Sequence, residues 1–228
     1  MARPFIAAIV PMRHTSHRAV GKNYRPFLGK PLFWWVMQTL FDSQRVDQIV
    51  VDTDSPTIRE ELQGEDRVTL LERPDHLRAS TVPMNDVLLN TVAQLDADLF
   101  VQTHSTNPFL RPETLDAAVD QFLLSQNTHD SAFSVARLQT RLWDKEGRPL
   151  NHNPDVLKRT QDLDPIFEES STFYILSEST LKECHNRIGR RPLMIEVSPI
   201  EAYDIDDEDD FLIAEAIGKA LGKGGCRG

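Results

Sequence analysis

The sequence predicts an α/β fold, a doubly wound, mainly parallel sheet carrying a small arm. Three observations predict it. Short apolar runs bounded by turn residues alternate with helical spacings over the first 136 residues, the pattern of strands covered by helices on both faces. The first run, Phe5 to Val10, stops at Pro11 and opens into a polar, cation-rich loop. Past residue 136 the alternation breaks: residues 137–172 have few apolar runs and contain Gly147, Pro149, Pro154 and Pro165.

Taken in order, Phe5 to Val10 reads as a buried parallel strand, since it is uniformly apolar rather than alternating. The loop after it carries Arg13, His14, His17, Arg18 and Lys22. Pro31 to Leu40 reads as a helix, with Trp34 and Trp35 assigned to core packing. Val46 to Val51 is a second strand ending in Asp52-Thr53-Asp54, and Ser55-Pro56 starts a helix with proline in its first turn. Val68 to Leu71 is a third strand. Met84 to Leu95 places Val87, Leu88, Val92 and Leu95 on one side of a helix. Leu99 to Val101 is a fourth strand, stopping at Gln102-Thr103-His104-Ser105-Thr106-Asn107-Pro108. Glu113 to Ser125 is a helix and Ser131 to Ala136 a fifth strand. After the break, Phe173 to Leu176 returns as a strand, and Ile195–Val197 and Ala202–Ile205 read as short strands or edges. Glu208 to Leu221 is a final helix whose acidic start, from Asp206 to Asp210, suits its positive end.

The chain of 228 residues is read as one domain, 1–228, with 137–172 as its arm. A net charge of −10 argues against nucleic acid as a partner, which would call for a basic footprint. No run approaches the roughly 18 apolar residues of a membrane span, and no secretory leader is evident. Two cysteines, Cys184 and Cys226, form neither a disulfide framework nor a metal spacing. The seven histidines likewise lack zinc spacing. A cytoplasmic protein is expected.

Two features carry chemistry. A strand feeding a loop with Arg13 and Lys22 is how α/β sheets build phosphate sites, because ligands collect at the carboxyl ends of strands. Arginine supplies a planar fork of donors and lysine a point charge. The plainer alternative is a solvated basic loop. The second feature is Asp204-Ile205-Asp206: side chains alternate along an extended segment, so the two carboxylates share a face. Such a pair suits Mg²⁺ held jointly with substrate phosphates; the alternative is helix capping and solubility. Together, a polyphosphate loop and an aspartate pair meet the needs of metal-assisted nucleotidyl transfer.

These residues resemble the acylneuraminate (CMP-sialic acid) cytidylyltransferase family. Pro11-Met-Arg13-His-Thr-Ser16-His-Arg-Ala-Val-Gly21-Lys22-Asn23 is similar to the family's P-A-R-G-G-S-K-G-I-P-G-K-N without a gap. Arg25-Pro-Phe-Leu-Gly29-Lys30-Pro31-Leu32 resembles "PLxGKPL", Val51-Asp-Thr53-Asp54 "VSTD", and Glu72-Arg73-Pro74 its "RP" turn. Ser105-Thr106-Asn107-Pro108-Phe109-Leu110 resembles "PTSPFL". Arg159-Thr-Gln161-Asp162-Leu163 with Phe173-Tyr174-Ile175 resembles "RQDL…FYI", and Glu201 to Phe211 resembles "E…DIDTxxDF". The pieces fall in family order over nearly the whole chain.

The resemblance implies a Rossmann-like fold of the nucleotide-diphospho-sugar transferase type. It implies an enzyme, with CTP as co-substrate and Mg²⁺ as cofactor, that transfers CMP to a nonulosonic, sialic-acid-like sugar acid and releases pyrophosphate. Arg13 and Lys22 would hold the triphosphate and, with Asp206, carry catalysis. Ser16 and Asn23 would shape the loop and meet phosphate or ribose, with Arg73 near the nucleotide. Gln102, His104 and Thr106 would meet the sugar. Arg159 and Gln161 would reach the sugar site of a partner subunit, making 137–172 a dimerisation arm of a homodimer. Asp204 and Asp206 would hold the metal.

The chain departs from the family pattern at several points. His14 and Thr15 stand where the family has glycines, Arg18 replaces a small residue, and His104 replaces a glutamine. Competing readings are the same chemistry on another acceptor (a Kdo-like sugar or a phosphonate), a sugar-1-phosphate nucleotidyltransferase, and a catalytically silent nucleotide-binding homologue.

Overall fold

The structure is a computed structural model, and it describes residues 3–15 and 21–223. Its elements in chain order are β1 (Ile6–Met12), a small hairpin of β2 (Pro26–Phe27) and β3 (Lys30–Pro31), α1 (Phe33–Asp42), β4 (Gln48–Thr53), α2 (Pro56–Glu61), β5 (Val68–Glu72) and α3 (Met84–Val92). They continue with β6 (Leu99–Thr103), α4 (Pro112–Ser125), β7 (Ser131–Leu138), β8 (Ile166–Leu176), α5 (Glu178–Cys184), β9 (Pro192–Val197) and α6 (Glu208–Ala220).

Seven strands form one sheet in the order β5-β4-β1-β6-β8-β7-β9. β1 pairs in parallel with β4 and β6, β4 with β5, and β7 with β9; β8 alone runs antiparallel, between β6 and β7. β1 lies inside the sheet and is covered on both faces. Ile6, Ala8, Val10 and Met12 pack into the layer of α1 and α4, while Ala7 and Ile9 pack into the opposite layer with Leu88 and Val92 of α3. That two-sided burial is the reason the strand reads as a continuous apolar run.

The helices follow their local signals. α1 buries Phe33, Val36, Met37 and Leu40, the one-sided stripe of a helix lying on a sheet. Ser55 caps α2, its hydroxyl accepting from the Ile58 amide at 3.3 Å, with Pro56 at the first position. Asp207 and Asp210 form a capping box at the start of α6.

Several boundaries differ from the sequence reading. β4 is shifted two residues toward the C-terminus and β1 runs on through Pro11 to Met12. α5 was not signalled, since seven residues show too little periodicity to stand out. Residues 202–205 form no strand. The strand read at 173–176 begins at Ile166: its first half is mostly polar, with no apolar run to mark it, and pairs with β7 from Ile166 to Glu169. The excursion from the sheet therefore spans 139–165, shorter than 137–172.

A third cluster fixes the geometry of the site. Phe27, Leu32, Phe109, Ile205, Phe211 and Ala214 pack together, joining the β2–β3 hairpin near the front of the chain to α6 near its end. The hairpin turns on Leu28 (φ 49°) and Gly29 (φ 89°), both left-handed as a two-residue turn of this twist requires. Gly218 in α6 leaves room for it: a Cβ there would stand 2.1 Å from the Leu28 side chain.

Candidate active site

The loop after β1 is fastened at both ends. The His14 amide donates to Asp54 at 2.7 Å, and its Nδ1 lies 2.9 Å from the Ser55 hydroxyl. Its ring stacks on Tyr24, with centroids 5.4 Å apart. At the other end Asn23 donates to the Arg13 carbonyl at 2.9 Å and accepts from Ser105 at 2.8 Å. Asn23 thus ties the end of β1 to the loop after β6. Gly21, at φ 66°, opens the short 3₁₀ turn that presents Lys22, and a Cβ there would meet the Tyr24 ring at 2.8 Å.

The Asp204-Ile205-Asp206 segment arrives from the opposite end of the chain. Ile205 is fully buried in the third cluster, and its amide donates to the Thr106 carbonyl at 3.0 Å. With Ile205 turned into the core, the flanking aspartates turn the other way, to the loop cations. Lys22 Nζ donates to the Ile205 carbonyl at 2.5 Å and stands 3.3 Å from Asp206 Oδ1. One oxygen of Asp204 is buried with no partner among the described residues. Burial, with help from Asp206 and against the Thr106 hydrogen bond, raises the pKa of Asp204.

These groups line a single cavity of about 530 Å³ at the carboxyl ends of β1 and β6. Arg13, Lys22, Asn23, Arg73, His104, Thr106, Asp204 and Asp206 all reach it. Arg73 is buried, and a carboxylate orients it: Asp52 accepts from its Nε at 2.5 Å and from Thr91 at 2.7 Å. Among the sequence candidates, Gln102 does not line this cavity. Its side-chain oxygen accepts from Arg187 at 2.8 Å, and the same Arg187 nitrogen lies 3.2 Å from His104, which does line the cavity. Arg159 and Gln161 lie on the exposed arm, away from this chain's own cavity, with Arg159 paired to Asp162 at 2.7 Å. Ser16 lies outside the described residues.

Arg187 itself was missed. It comes from the connection between α5 and β9, and only the folded chain brings it beside Gln102, His104 and Tyr174. Ser105 and Ser171 also line the cavity. Ser105 sits in a quoted motif but has no chemistry that stands out in sequence.

The sequence profile of the family described as cytidylyltransferase matches residues 7–217. The chain belongs to the cytidylyltransferase family. Membership makes it a nucleotidyltransferase. The chain is 28% identical over 230 residues to a CMP-N,N'-diacetyllegionaminic acid synthase of Legionella pneumophila, covering 93% of this chain and 95% of that one. It is 27% identical over 159 residues to a 3-deoxy-manno-octulosonate cytidylyltransferase of Syntrophotalea carbinolica, a match spanning 69% of this chain and 58% of that protein. Among solved structures, a CMP:2-keto-3-deoxy-manno-octonic acid synthetase complexed with CTP superposes with a TM-score of 0.70 at 15% identity, covering 95% of this chain and 99% of that one. A 4-diphosphocytidyl-2C-methyl-D-erythritol synthase from Anaerococcus prevotii gives 0.68 at 12% identity, with 94% and 96% covered. These two likenesses establish the doubly wound fold.

The same cavity bears on metal binding. Among the described residues no group of three or more His, Cys, Asp or Glu could hold a metal ion. A hard cation with oxygen ligands fits two carboxylates nonetheless, when substrate phosphates and water complete its shell. The unpartnered Asp204 oxygen is the buried acceptor that such an ion would satisfy. No helix among the described residues is long and apolar enough to cross a membrane.

Proposed function

We propose that this protein transfers CMP from CTP to a nonulosonic, sialic-acid-like sugar acid with release of pyrophosphate, and that it does so as a cytoplasmic homodimer. The observation carrying this reading is the meeting of Lys22 with Asp206 across 184 positions of sequence, in one cavity with Arg13, Arg73 and Asp204.

Arg13 and Lys22 bind the triphosphate and offset the charge that grows on the departing pyrophosphate. Asn23 holds the loop carbonyl of Arg13 in place, and Asp52 holds Arg73 so that its guanidinium enters the nucleotide cavity without searching rotamers. A sugar hydroxyl oxygen forms the new bond to the α-phosphorus, losing its proton to water, as the bond to the bridging oxygen of pyrophosphate breaks. Asp204 and Asp206 would hold Mg²⁺, which when bound neutralises phosphate charge and orients the groups in line.

The arm supports the dimer. Leu157 is 89% exposed and Leu150 60%, with Trp143 and Val156 beside them, more apolar surface than a solvated hairpin needs. Sedimentation at micromolar concentration should give a dimer, and Leu157→Asp should give a monomer; a wild-type monomer would remove the arm's role.

A second acceptor class has specific support, because six relatives at 25–28% identity are 3-deoxy-manno-octulosonate cytidylyltransferases by name. The deciding experiment is pyrophosphate release from CTP with a panel of sialic-, legionaminic- and pseudaminic-type acids and 3-deoxy-manno-octulosonate. Turnover with a nonulosonic acid supports the reading and turnover with the octulosonate alone replaces it. CTP binding without release from any acceptor would mark a silent homologue.

A further inference from the structure

We infer that Arg187 is a positioning residue, which holds His104 as a neutral imidazole with its proton on Nδ1. His104 then presents the cavity with an N–H donor for a lone-pair oxygen of the sugar acid. The tautomer rests on geometry alone, whereas its partner in the substrate rests on the acceptor reading proposed above.

His104 follows the last residue of β6 and is half-buried at the cavity edge. Its Nε2 lies 3.2 Å from Arg187 Nη1. A guanidinium only donates, so the ring nitrogen facing it must carry a lone pair. In a neutral ring the other nitrogen then carries the proton, and it has no partner among the described residues. Arg187 is well fixed for this role. The same Nη1 donates to Gln102 at 2.8 Å, Nη2 donates to Tyr174 at 2.8 Å, and the guanidinium lies 3.6 Å from the centre of the Tyr174 ring. Tyr174 passes its own proton toward Glu169 at 2.6 Å, which fixes the direction of the whole chain of bonds.

The charges around the ring point the same way. Arg187 faces it from the α5–β9 connection, Lys22 from the β1 loop, Asp206 from the segment before α6, and Tyr174 from β8 with ring centroids 6.4 Å apart. Burial first, then the charges of Arg187 and Lys22, push the His104 pKa down to about 3, with Asp206 opposing. Both the lowered pKa and the guanidinium facing Nε2 disfavour a second cation beside Arg187. His104 is also excluded as the base for the attacking hydroxyl, because its one lone pair already belongs to Arg187.

The test combines a spectrum with kinetics on the full chain. Long-range ¹H–¹⁵N spectra should show His104 with a protonated Nδ1 and an unprotonated Nε2, unchanged between about pH 5 and 8, where an ordinary imidazole titrates. A proton on Nε2, or a titration in that window, would overturn the inference without touching the assignment of CTP chemistry. Arg187→Met should release the tautomer to a mixture and raise the KM of the accepted sugar acid at least about tenfold, the scale of one lost hydrogen bond. The KM for CTP should stay within about twofold, and Arg187→Lys should restore part of the loss by keeping a donor. An unchanged sugar-acid KM in Arg187→Met would end the link to substrate, and unchanged ring signals would end the positioning role. If no acid in the panel is turned over, the acceptor reading fails, while the spectrum still decides the tautomer.

Discussion

At the cavity floor, polar bonds join residues that are far apart in sequence. Lys22 meets Ile205 and Asp206, Asn23 meets Ser105, Arg73 meets Asp52, and Arg187 meets His104. In the arm, residues 139–165, ion pairs join neighbours: Arg148 with Asp144 and Glu146, Lys145 with Glu146, and Arg159 with Asp162. The arm's longer bonds stay inside it, as between Gln139 and Leu163. One region is organised by the tertiary fold and the other mostly by itself, with Trp143, Leu150, Val156 and Leu157 left outward. Changes at the floor should therefore damage chemistry or the folded state, and changes in the arm should leave a single subunit almost untouched.

The largest effect is expected at Lys22. Its ammonium is mostly buried and already held by the Ile205 carbonyl, so it meets the phosphates preorganised. Lys22→Ala should lower kcat by about a hundredfold or more, the scale of losing an oriented transition-state donor. Pyrophosphate release measures it, and a loss under tenfold would mean the floor is less preorganised than its bonds imply.

Next comes stability at Asp52. Asp52 and Arg73 are 1% exposed, and Thr91 takes the second carboxylate oxygen. Asp52→Ala strands a buried guanidinium, which typically costs about 3–5 kcal/mol. Urea unfolding should show the free energy of unfolding fall by that amount. A cost near zero would show that Arg73 turns to solvent through the cavity.

Glu201 gives a smaller, pH-dependent effect. Burial alone would raise its pKa, but hydrogen bonds from Arg111, Thr114 and Ser198 outweigh burial and leave it lowered. A lowered folded pKa gives stability that is present above the ordinary glutamate value of about 4.3 and lost as pH falls through the folded value. Glu201→Gln should cost about 1–3 kcal/mol near neutrality, and the gap to wild type should narrow in acid. A gap that widens in acid would reverse the sign of the coupling.

The same contrast explains what the sequence made legible. Both carboxylates of Asp204-Ile-Asp206 and both loop cations stand out because residue type and period-two spacing are local properties, and they fall in one cavity. The parallel strands were readable for the same reason, since burial on both faces leaves an unbroken apolar run. Arg187 was not readable, because its meaning comes from Gln102, His104 and Tyr174, up to 85 positions away. Gln102 stands out in sequence only through its motif, and its bond to Arg187 comes from the fold. His14, standing where the resembled family has glycine, takes a structural part through Asp54, Ser55 and Tyr24 that no local pattern announces.

The smallest effect on a single subunit is expected at Arg159. Its side chain is 72% exposed and its partner Asp162 is three residues away, a pair of the kind worth about 0–1 kcal/mol. Arg159→Ala should leave urea unfolding of the subunit nearly unchanged. If the arm serves only its own hairpin, turnover will also be unchanged. If it reaches the sugar site of a second subunit, kcat/KM for the sugar acid will fall while the KM for CTP, the urea midpoint and the sedimenting mass all hold. A drop in mass instead would place Arg159 in the contact between subunits and not in the site. Because this guanidinium is already paired by a close neighbour, the cost of turning it toward a partner's substrate is only the loss of one exposed ion pair. That is why a residue contributing almost nothing to its own fold is free to act on another chain.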